Sequence, residues 1–155
     1  MATNNTYTQL YTHIVFAVKY RASLISDVWA ERLRNYIIAI IQNHGHKLIA
    51  INNMPDHMHL LIGLNPNQAL SDLVRIVKSD SSEWINKEKL TKGRFQWQEG
   101  YGGFTHSRSQ VDKVVNYILN QQQHHSKKSF SQEFQQILRS LDIEFDERYI
   151  FKQPE

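Results

Sequence analysis

The sequence predicts an α+β fold built from an antiparallel sheet and amphipathic helices, with elements in the order β-α-β-β-α-β-α-α. Two observations lead to this prediction. Short runs rich in β-branched and aromatic residues recur, and between them lie longer segments whose apolar residues are spaced three and four apart. The chain has 155 residues and no internal repeat, so we expect one domain spanning residues 1–155.

The first two elements are a strand and a helix. Apolar residues alternate with polar ones over residues 7–19, which is typical of a β-strand. Ser26 can then cap a helix whose apolar residues keep helical spacing until Gly45, a residue that commonly ends helices.

A β-hairpin and a second helix follow. The apolar runs 47–53 and 58–64 flank Pro55, which cannot donate a hydrogen bond within a sheet and is therefore assigned to the turn. Residues 70–85 have helical spacing, although the Ser-Asp-Ser-Ser sequence at 79–82 favours a bend or break.

The residue pattern in the last part of the chain predicts a strand and two helices. Residues 95–98 alternate and precede the glycines of 100–103, which we interpret as a fourth strand ending in a flexible joint. Valines and isoleucines over 111–119 form one helical stripe, and residues 129–132 resemble a capping box before the final helix. The tail, about 141–155, is expected to be extended.

This order is the ferredoxin-like, RRM-like split βαβ pattern. We expect a sandwich with an antiparallel sheet of four to five strands, helices on one face, and an added C-terminal helix that carries a tyrosine. The absence of cysteine excludes disulfides, zinc-thiolate sites and thiol nucleophiles. The net charge of +3 and pI near 9.1 are compatible with nucleic-acid binding. With no leader or membrane-spanning pattern, a cytoplasmic location without membrane association is expected.

Two histidines in the hairpin are candidate metal ligands. His57 and His59 are two residues apart on a predicted strand, so both side chains lie on the same face and can reach one ion. The alternative is a pair of histidines on a solvent-facing strand surface. Two ligands would leave an ion open to substrate oxygens.

A tyrosine in the third helix is the candidate nucleophile. Tyr117 and Gln121 are four residues apart, on the polar face of that helix. The alternative is an amphipathic tyrosine at the edge of the core, with its hydroxyl in water. Because a tyrosine hydroxyl has a pKa near 10, attack at neutral pH requires a metal or a nearby base.

Five segments taken together resemble one family, the HUH single-tyrosine (Y1) transposases of the IS200/IS605 group. Their order and spacing make the resemblance specific, and it extends over most of the chain. The segments are YTHIVFAVKYR (11–21), MPDHMHLLI (54–62), LSDLVRIVKSDSSEWIN (70–86), FQWQEGYGGF (95–104) and YILNQQQHH with the following FSQEF (117–134).

The resemblance implies a set of roles. His57, His59 and Gln121 would bind Mg²⁺ or Mn²⁺, and Tyr117 would attack the scissile phosphate to form a 5′-phosphotyrosine link. The DNA would be single-stranded, with hairpins at the ends of the mobile element. The active protein would be a homodimer in which the tyrosine helix of one subunit completes the metal site of the other.

Other residues have weaker interpretations. Tyr101 is a rival nucleophile, and Asp56 is expected in the turn with its side chain away from the histidines. His13 could be exposed, face DNA or lie in the core. His124 and His125 could support the metal ligands, contact DNA or be polar residues near a helix end. Basic residues that could contact phosphates are Lys19, Arg21, Arg75, Lys78, Lys92 and Arg94.

Three other functions fit the same residues. One is a domesticated relative that processes chromosomal palindromes with the same chemistry. Another is a ferredoxin-like nucleic-acid-binding module without catalysis. The third is a metal-dependent phosphodiesterase that uses water in place of Tyr117.

Overall fold

The protein is described from a computed structural model, over residues 5–22, 24–121 and 129–143. Short 3-10 helices occur at Lys19–Arg21 and Arg108–Gln110. The strands and α-helices are β1 (Tyr11–Ala17), α1 (Ala30–Asn43), β2 (Lys47–Met54), β3 (His57–Gly63), α2 (Leu70–Lys87), β4 (Gly102–His106), α3 (Val111–Leu119) and α4 (Phe130–Ser140).

The four strands form one antiparallel sheet in the order β2-β3-β1-β4, which confirms the predicted α+β fold. The two central strands, β3 and β1, are almost entirely buried. Their register places Ala17 opposite His57 and Val15 opposite His59. Since directly opposed residues of an antiparallel pair share a face, the histidines lie at the centre of one face of the sheet.

Helices cover both faces of the sheet. On one face, Phe16 and Leu60 belong to the main core, to which α1 contributes Leu33 and α2 contributes Leu73. On the other face α4 packs on β1 and β4, and α3 packs on β2 and β3. The predicted pair of helices on one face is therefore α1 and α2, and the tyrosine-bearing helix α3 lies on the face that carries the histidines.

The predicted fourth strand at residues 95–98 is wrong. Here the chain makes a single β-bridge, between Val18 and Trp97, and β4 begins later, at Gly102. The alternating apolar side chains are instead buried beneath α2. Trp97 packs edge-on against Phe16 with ring centroids 4.8 Å apart, and its Nε1 donates to Ser81 Oγ at 2.9 Å.

Two other local predictions have different outcomes. The break expected at residues 79–82 is absent, because α2 continues from Leu70 to Lys87 with Ser81 buried inside the packed face. The capping box is confirmed: Ser129 Oγ accepts from the backbone N–H of Gln132, and Gln132 Oε1 accepts from the backbone N–H of Ser129. Residues 144–155, which include most of the tail expected to be extended, lie outside the described residues.

The glycines before α3 permit close packing. A Cβ at Gly102 would lie 2.8 Å from Phe134 Cε2, and one at Gly103 would lie 2.7 Å from Leu70 Cδ2. Gly102 and Gly103 therefore let helices on opposite faces of the sheet approach β4. Gly100 has a different role, because its φ of 86° is a left-handed conformation that favours glycine. Within the described ranges, no helix is long and apolar enough to cross a bilayer.

Gly102→Ala should destabilise the fold, because the added methyl group overlaps two phenylalanine rings. We expect a loss of about 1–3 kcal/mol in the free energy of unfolding, measured by urea denaturation. Gly93→Ala is the control, since a Cβ there meets nothing within 4 Å and should change stability by less than about 0.5 kcal/mol. Equal effects of the two substitutions would contradict the close approach of α4 to β4.

Candidate active site

His57 and His59 are fully buried between the sheet and the two helices that cover it. Their rings meet edge to face, with centroids 5.0 Å apart. The His57 ring also stacks on Phe130 of α4, with centroids 4.1 Å apart. A pair of solvent-facing histidines is therefore excluded, and the two imidazoles share one interior site.

The Nδ1 atom of each imidazole has a fixed partner. His57 Nδ1 lies 2.7 Å from Asp56 Oδ1, and His59 Nδ1 lies 2.9 Å from His13 Nε2. The expectation that Asp56 points away from the histidines is wrong, because Asp56 belongs to the turn before β3 and does not follow the alternation of the strand. These contacts direct both Nε2 atoms toward the covering helices.

Oxygen atoms from the two helical segments face these Nε2 atoms. Gln121 is fully buried, and its Oε1 lies 3.4 Å from His57 Nε2. Glu133, in α4, places Oε1 3.2 Å from His59 Nε2. The structure therefore brings together His57, His59 and Gln121, and it adds a carboxylate that the sequence interpretation missed.

A local signal could have identified Glu133. It lies three residues after Phe130 and one before Phe134, on the buried face of the amphipathic helix α4, and only 4% of its surface is exposed. A carboxylate is rarely buried without a positively charged partner or a metal. An acidic residue within the apolar stripe of a helix is therefore a candidate site residue.

Tyr117 is directed into the same cluster. Its hydroxyl donates a short hydrogen bond to Glu133 Oε1, and its ring meets that of His59 edge to face at 5.7 Å. Burial, together with the Glu133 carboxylate, raises the pKa of Tyr117 well above its usual value. The phenol is therefore protonated and needs a proton acceptor before it can act as a nucleophile.

The electrostatics of the buried histidines favour neutral imidazoles. Burial lowers the pKa of His59 to about 4, although Glu133 opposes this shift. Burial, with repulsion from His59 and His106, lowers the pKa of His13 well below its usual value. Both imidazoles are therefore neutral at pH 7, as a metal ligand and its hydrogen-bond partner must be.

The donor atoms fit a divalent metal ion. One nitrogen of His57, one nitrogen of His59 and one oxygen of Glu133 all lie within 4.8 Å of one another. Among the described residues, His59 Nε2 and Glu133 Oε2 are buried polar atoms that make no hydrogen bond. Imidazole nitrogens with carboxylate or amide oxygens suit first-row divalent metals, and a cation would satisfy both atoms.

An open groove of about 1490 Å³ contains most of the predicted phosphate contacts. Lys19, Lys78, Lys92 and Arg94 line it. The remaining basic groups of the groove are Lys87 and Lys89, and its acidic groups are Glu83 and Glu99. The groove therefore has an excess of positive charge and can attract a polyanion.

The basic residues are not equivalent. Lys78 Nζ donates to the backbone carbonyls of Gln98 at 2.5 Å and Gly100 at 2.9 Å, so it fixes the loop before β4. Arg75 does not line the groove and pairs with Asp72 on the exposed side of α2. The side chain of Arg21 lies outside what the structure describes.

The other candidates are placed apart from the cluster or are not described. Tyr101 is partly exposed just before β4, whereas Tyr117 is the tyrosine that contacts Glu133. His124 and His125 lie outside the described residues.

Comparison with known sequences identifies the family of this chain. A family model described as "Transposase IS200 like" matches residues 6–121. The ISDra2 transposase TnpA of Deinococcus radiodurans is 32% identical over 119 residues, which cover 73% of this chain and 84% of that protein. The residues matched by the family model include His57, His59, Tyr117 and Gln121.

Two solved structures resemble the fold. A crystal structure of a candidate transposase from Deinococcus radiodurans R1 has a TM-score of 0.63 at 28% identity, covering 78% of this chain and 97% of that one. A REP-associated tyrosine transposase bound to a REP hairpin has a TM-score of 0.61 at 17% identity, covering 100% of this chain and 98% of that one.

The fold and the sequence similarity define a DNA-processing enzyme of the transposase class, which acts in DNA recombination. The chain belongs to the IS200-like family of Y1 transposases.

Asn52 of β2 holds the end of the tyrosine helix, because its Nδ2 donates to the carbonyl of Ile118 at 2.9 Å. Asn52→Ala should lower the free energy of unfolding by about 1 kcal/mol and increase hydrogen exchange at the amides of α3. Asn67→Ala, at an exposed loop position, should leave exchange in α3 unchanged. Unaltered protection of α3 in the Asn52 variant would show that the helix is held by other contacts.

Proposed function

We propose that the protein cleaves and rejoins single-stranded DNA at the hairpin-bearing ends of a mobile element, with Tyr117 as the nucleophile. The observation that carries this proposal is the contact between the Tyr117 hydroxyl and Glu133, beside the buried pair His57 and His59. A tyrosine used only for packing does not need to direct its hydroxyl into a cluster of metal-binding groups.

The chemistry is a transesterification. The Tyr117 oxygen attacks the phosphorus, the bond from phosphorus to the 3′ oxygen breaks, and a 5′-phosphotyrosine link forms beside a free 3′-hydroxyl. Because one phosphoester replaces another, rejoining by a 3′-hydroxyl needs no ATP. Glu133 Oε1 already accepts the hydrogen bond of the Tyr117 hydroxyl, so it is the group placed to take the proton during attack.

His57, His59 and Gln121 would hold a divalent metal, Mg²⁺ or Mn²⁺. When bound, the metal would neutralise charge on the phosphate oxygens and stabilise the departing 3′ oxygen. Two imidazoles and an amide oxygen suit Mn²⁺ better than Mg²⁺, whereas cellular abundance favours Mg²⁺. Glu133 has two carboxylate oxygens, so it can contribute one to the metal and keep the other for Tyr117.

The basic groove would bind the DNA. Lys19 lies two residues beyond the end of β1, whose last residue, Ala17, pairs with His57, so the groove begins near the end of the strand beside His57. Tyr20, which is partly exposed beside Lys19, offers an aromatic surface for stacking an unpaired base. The REP hairpin bound by the solved relative supports a hairpin as the ligand.

A homodimer with shared active sites is part of the proposal. In a single chain, Tyr117 already reaches Glu133, so one subunit can place its own tyrosine at its own site. Exchange of α3 between two subunits would put the tyrosine of one chain at the histidines of the other. The support for such a dimer is membership of the family, as the sequence resemblance implies.

A domesticated relative that processes chromosomal palindromes is the second candidate. The observation that favours it is the similarity in fold to a solved REP-associated tyrosine transposase bound to a REP hairpin. The DNA that flanks the gene distinguishes a mobile element from a domesticated relative. Subterminal hairpins on both sides support a mobile element, and a solitary gene among dispersed palindromes supports domestication.

Tyr117→Phe should abolish covalent attachment to DNA, because the variant retains the ring and lacks the attacking oxygen. The measurement is an SDS-resistant adduct on labelled single-stranded DNA that carries the flanking hairpin, with Mg²⁺ or Mn²⁺. Tyr101→Phe is the matched control and should still form the adduct. Cleavage by the wild type without any adduct would favour a hydrolytic phosphodiesterase, and binding without cleavage would favour a non-catalytic module.

Charge reversal in the groove should weaken DNA binding. For the double variant Lys92→Glu and Arg94→Glu, we expect a higher dissociation constant and a salt dependence reduced by about 0.7 to 0.9 per lost phosphate contact, measured by fluorescence anisotropy. Arg75→Glu is the control, because Arg75 is a basic residue of α2 that does not line the groove. A larger increase in the dissociation constant for Arg75→Glu than for the double variant would show that the DNA binds outside the groove.

A further inference from the structure

The geometry points to His13 as a positioning residue of the metal site. We propose that its Nε2 accepts a hydrogen bond from Nδ1 of His59 and thereby keeps the lone pair of His59 Nε2 available to the ion. This inference rests on the proposed metal site formed by His57 and His59.

The sheet brings His13 to this position. It belongs to β1, and it lies on the same face as Val15, the residue directly opposite His59. His13 is 4% exposed, and its ring stacks on that of His59 with centroids 5.1 Å apart and planes 22° apart. Its Nε2 lies 2.9 Å from His59 Nδ1, within hydrogen-bonding distance.

The hydrogen bond has only two arrangements. If His13 donates, the neutral ring of His59 carries its proton on Nε2, and that nitrogen cannot bind a metal. If His59 donates from Nδ1, its Nε2 has a free lone pair directed toward Glu133. A metal-bound His59 therefore requires His13 as the acceptor.

His57 provides the comparison. Its Nδ1 faces the carboxylate of Asp56 at 2.7 Å, so both candidate ligands have an acceptor behind them. Metal-binding histidines almost always donate their other ring nitrogen to such a group, and loss of that group typically weakens metal affinity by 10- to 100-fold. The His59 acceptor is a neutral imidazole, so it orients the ligand without adding negative charge to the site.

A packing role alone would give a different result. The His13 ring also contacts Phe104 and Tyr117, with centroids 6.1 Å and 6.3 Å away. His13→Phe keeps an aromatic ring in this space and removes the acceptor, whereas His13→Gln places an amide oxygen near the position of Nε2. His106→Phe is the matched control, because His106 lies on the same face, 6.1 Å from His13, and does not contact His59 in the described structure.

The test is Mn²⁺ binding by calorimetry, with thermal unfolding of the metal-free proteins measured in parallel. We expect His13→Phe to weaken Mn²⁺ binding by roughly 10- to 100-fold, and His13→Gln and His106→Phe to stay within about threefold of the wild type. Wild-type affinity in His13→Phe, or an equal loss in His13→Gln, would overturn the role of His13. If the wild type binds no Mn²⁺, the proposed metal site itself fails, and His13 loses the role with it.

Nitrogen NMR of the wild-type imidazoles gives a second test that does not depend on a variant folding. With diamagnetic Zn²⁺ bound, His59 should carry its proton on Nδ1, and Nε2 of His13 should be unprotonated. A proton on Nε2 of His13 in the Zn²⁺-bound protein would overturn the inference.

Discussion

The burial of two histidine side chains between the sheet and its covering helices is the constraint on which the rest of the site depends. Neither His57 nor His59 is exposed, and an imidazole removed from water needs partners for both ring nitrogens. Asp56, just before β3, and His13, on β1, face the Nδ1 atoms. Gln121, beyond the end of α3, and Glu133, in the first turn of α4, face the Nε2 atoms. The site is therefore assembled only when these helices pack against the sheet.

Features that depend on local periodicity could be predicted from the sequence. Alternation along a strand places His57 and His59 on one face, and helical spacing places Tyr117 and Gln121 on one side of a helix. The hairpin follows from two apolar runs around Pro55 for the same reason. These relations span at most four residues or a single turn, so they do not require knowledge of how the layers pack.

Features that depend on packing between distant segments could not be predicted. His13 reaches His59 because β1 lies beside β3, and Glu133 reaches Tyr117 because α4 covers the same face as α3. The wrong prediction of a strand at residues 95–98 also arose because the packing between distant segments was unknown. Alternating Phe95 and Trp97 resemble a strand in sequence, but burial beneath α2 satisfies the same pattern without a ladder of backbone hydrogen bonds.

The position of Glu133 in the chain also sets the order in which the enzyme becomes chemically complete. Synthesis proceeds from the N-terminus, so both histidines and Tyr117 leave the ribosome before the carboxylate that contacts His59 and the tyrosine hydroxyl. Under the proposed mechanism, a nascent chain that has folded its sheet and α3 still lacks the carboxylate that would accept the proton of Tyr117. The proposed site would therefore be complete only when α4, the last described helix, has docked on the sheet.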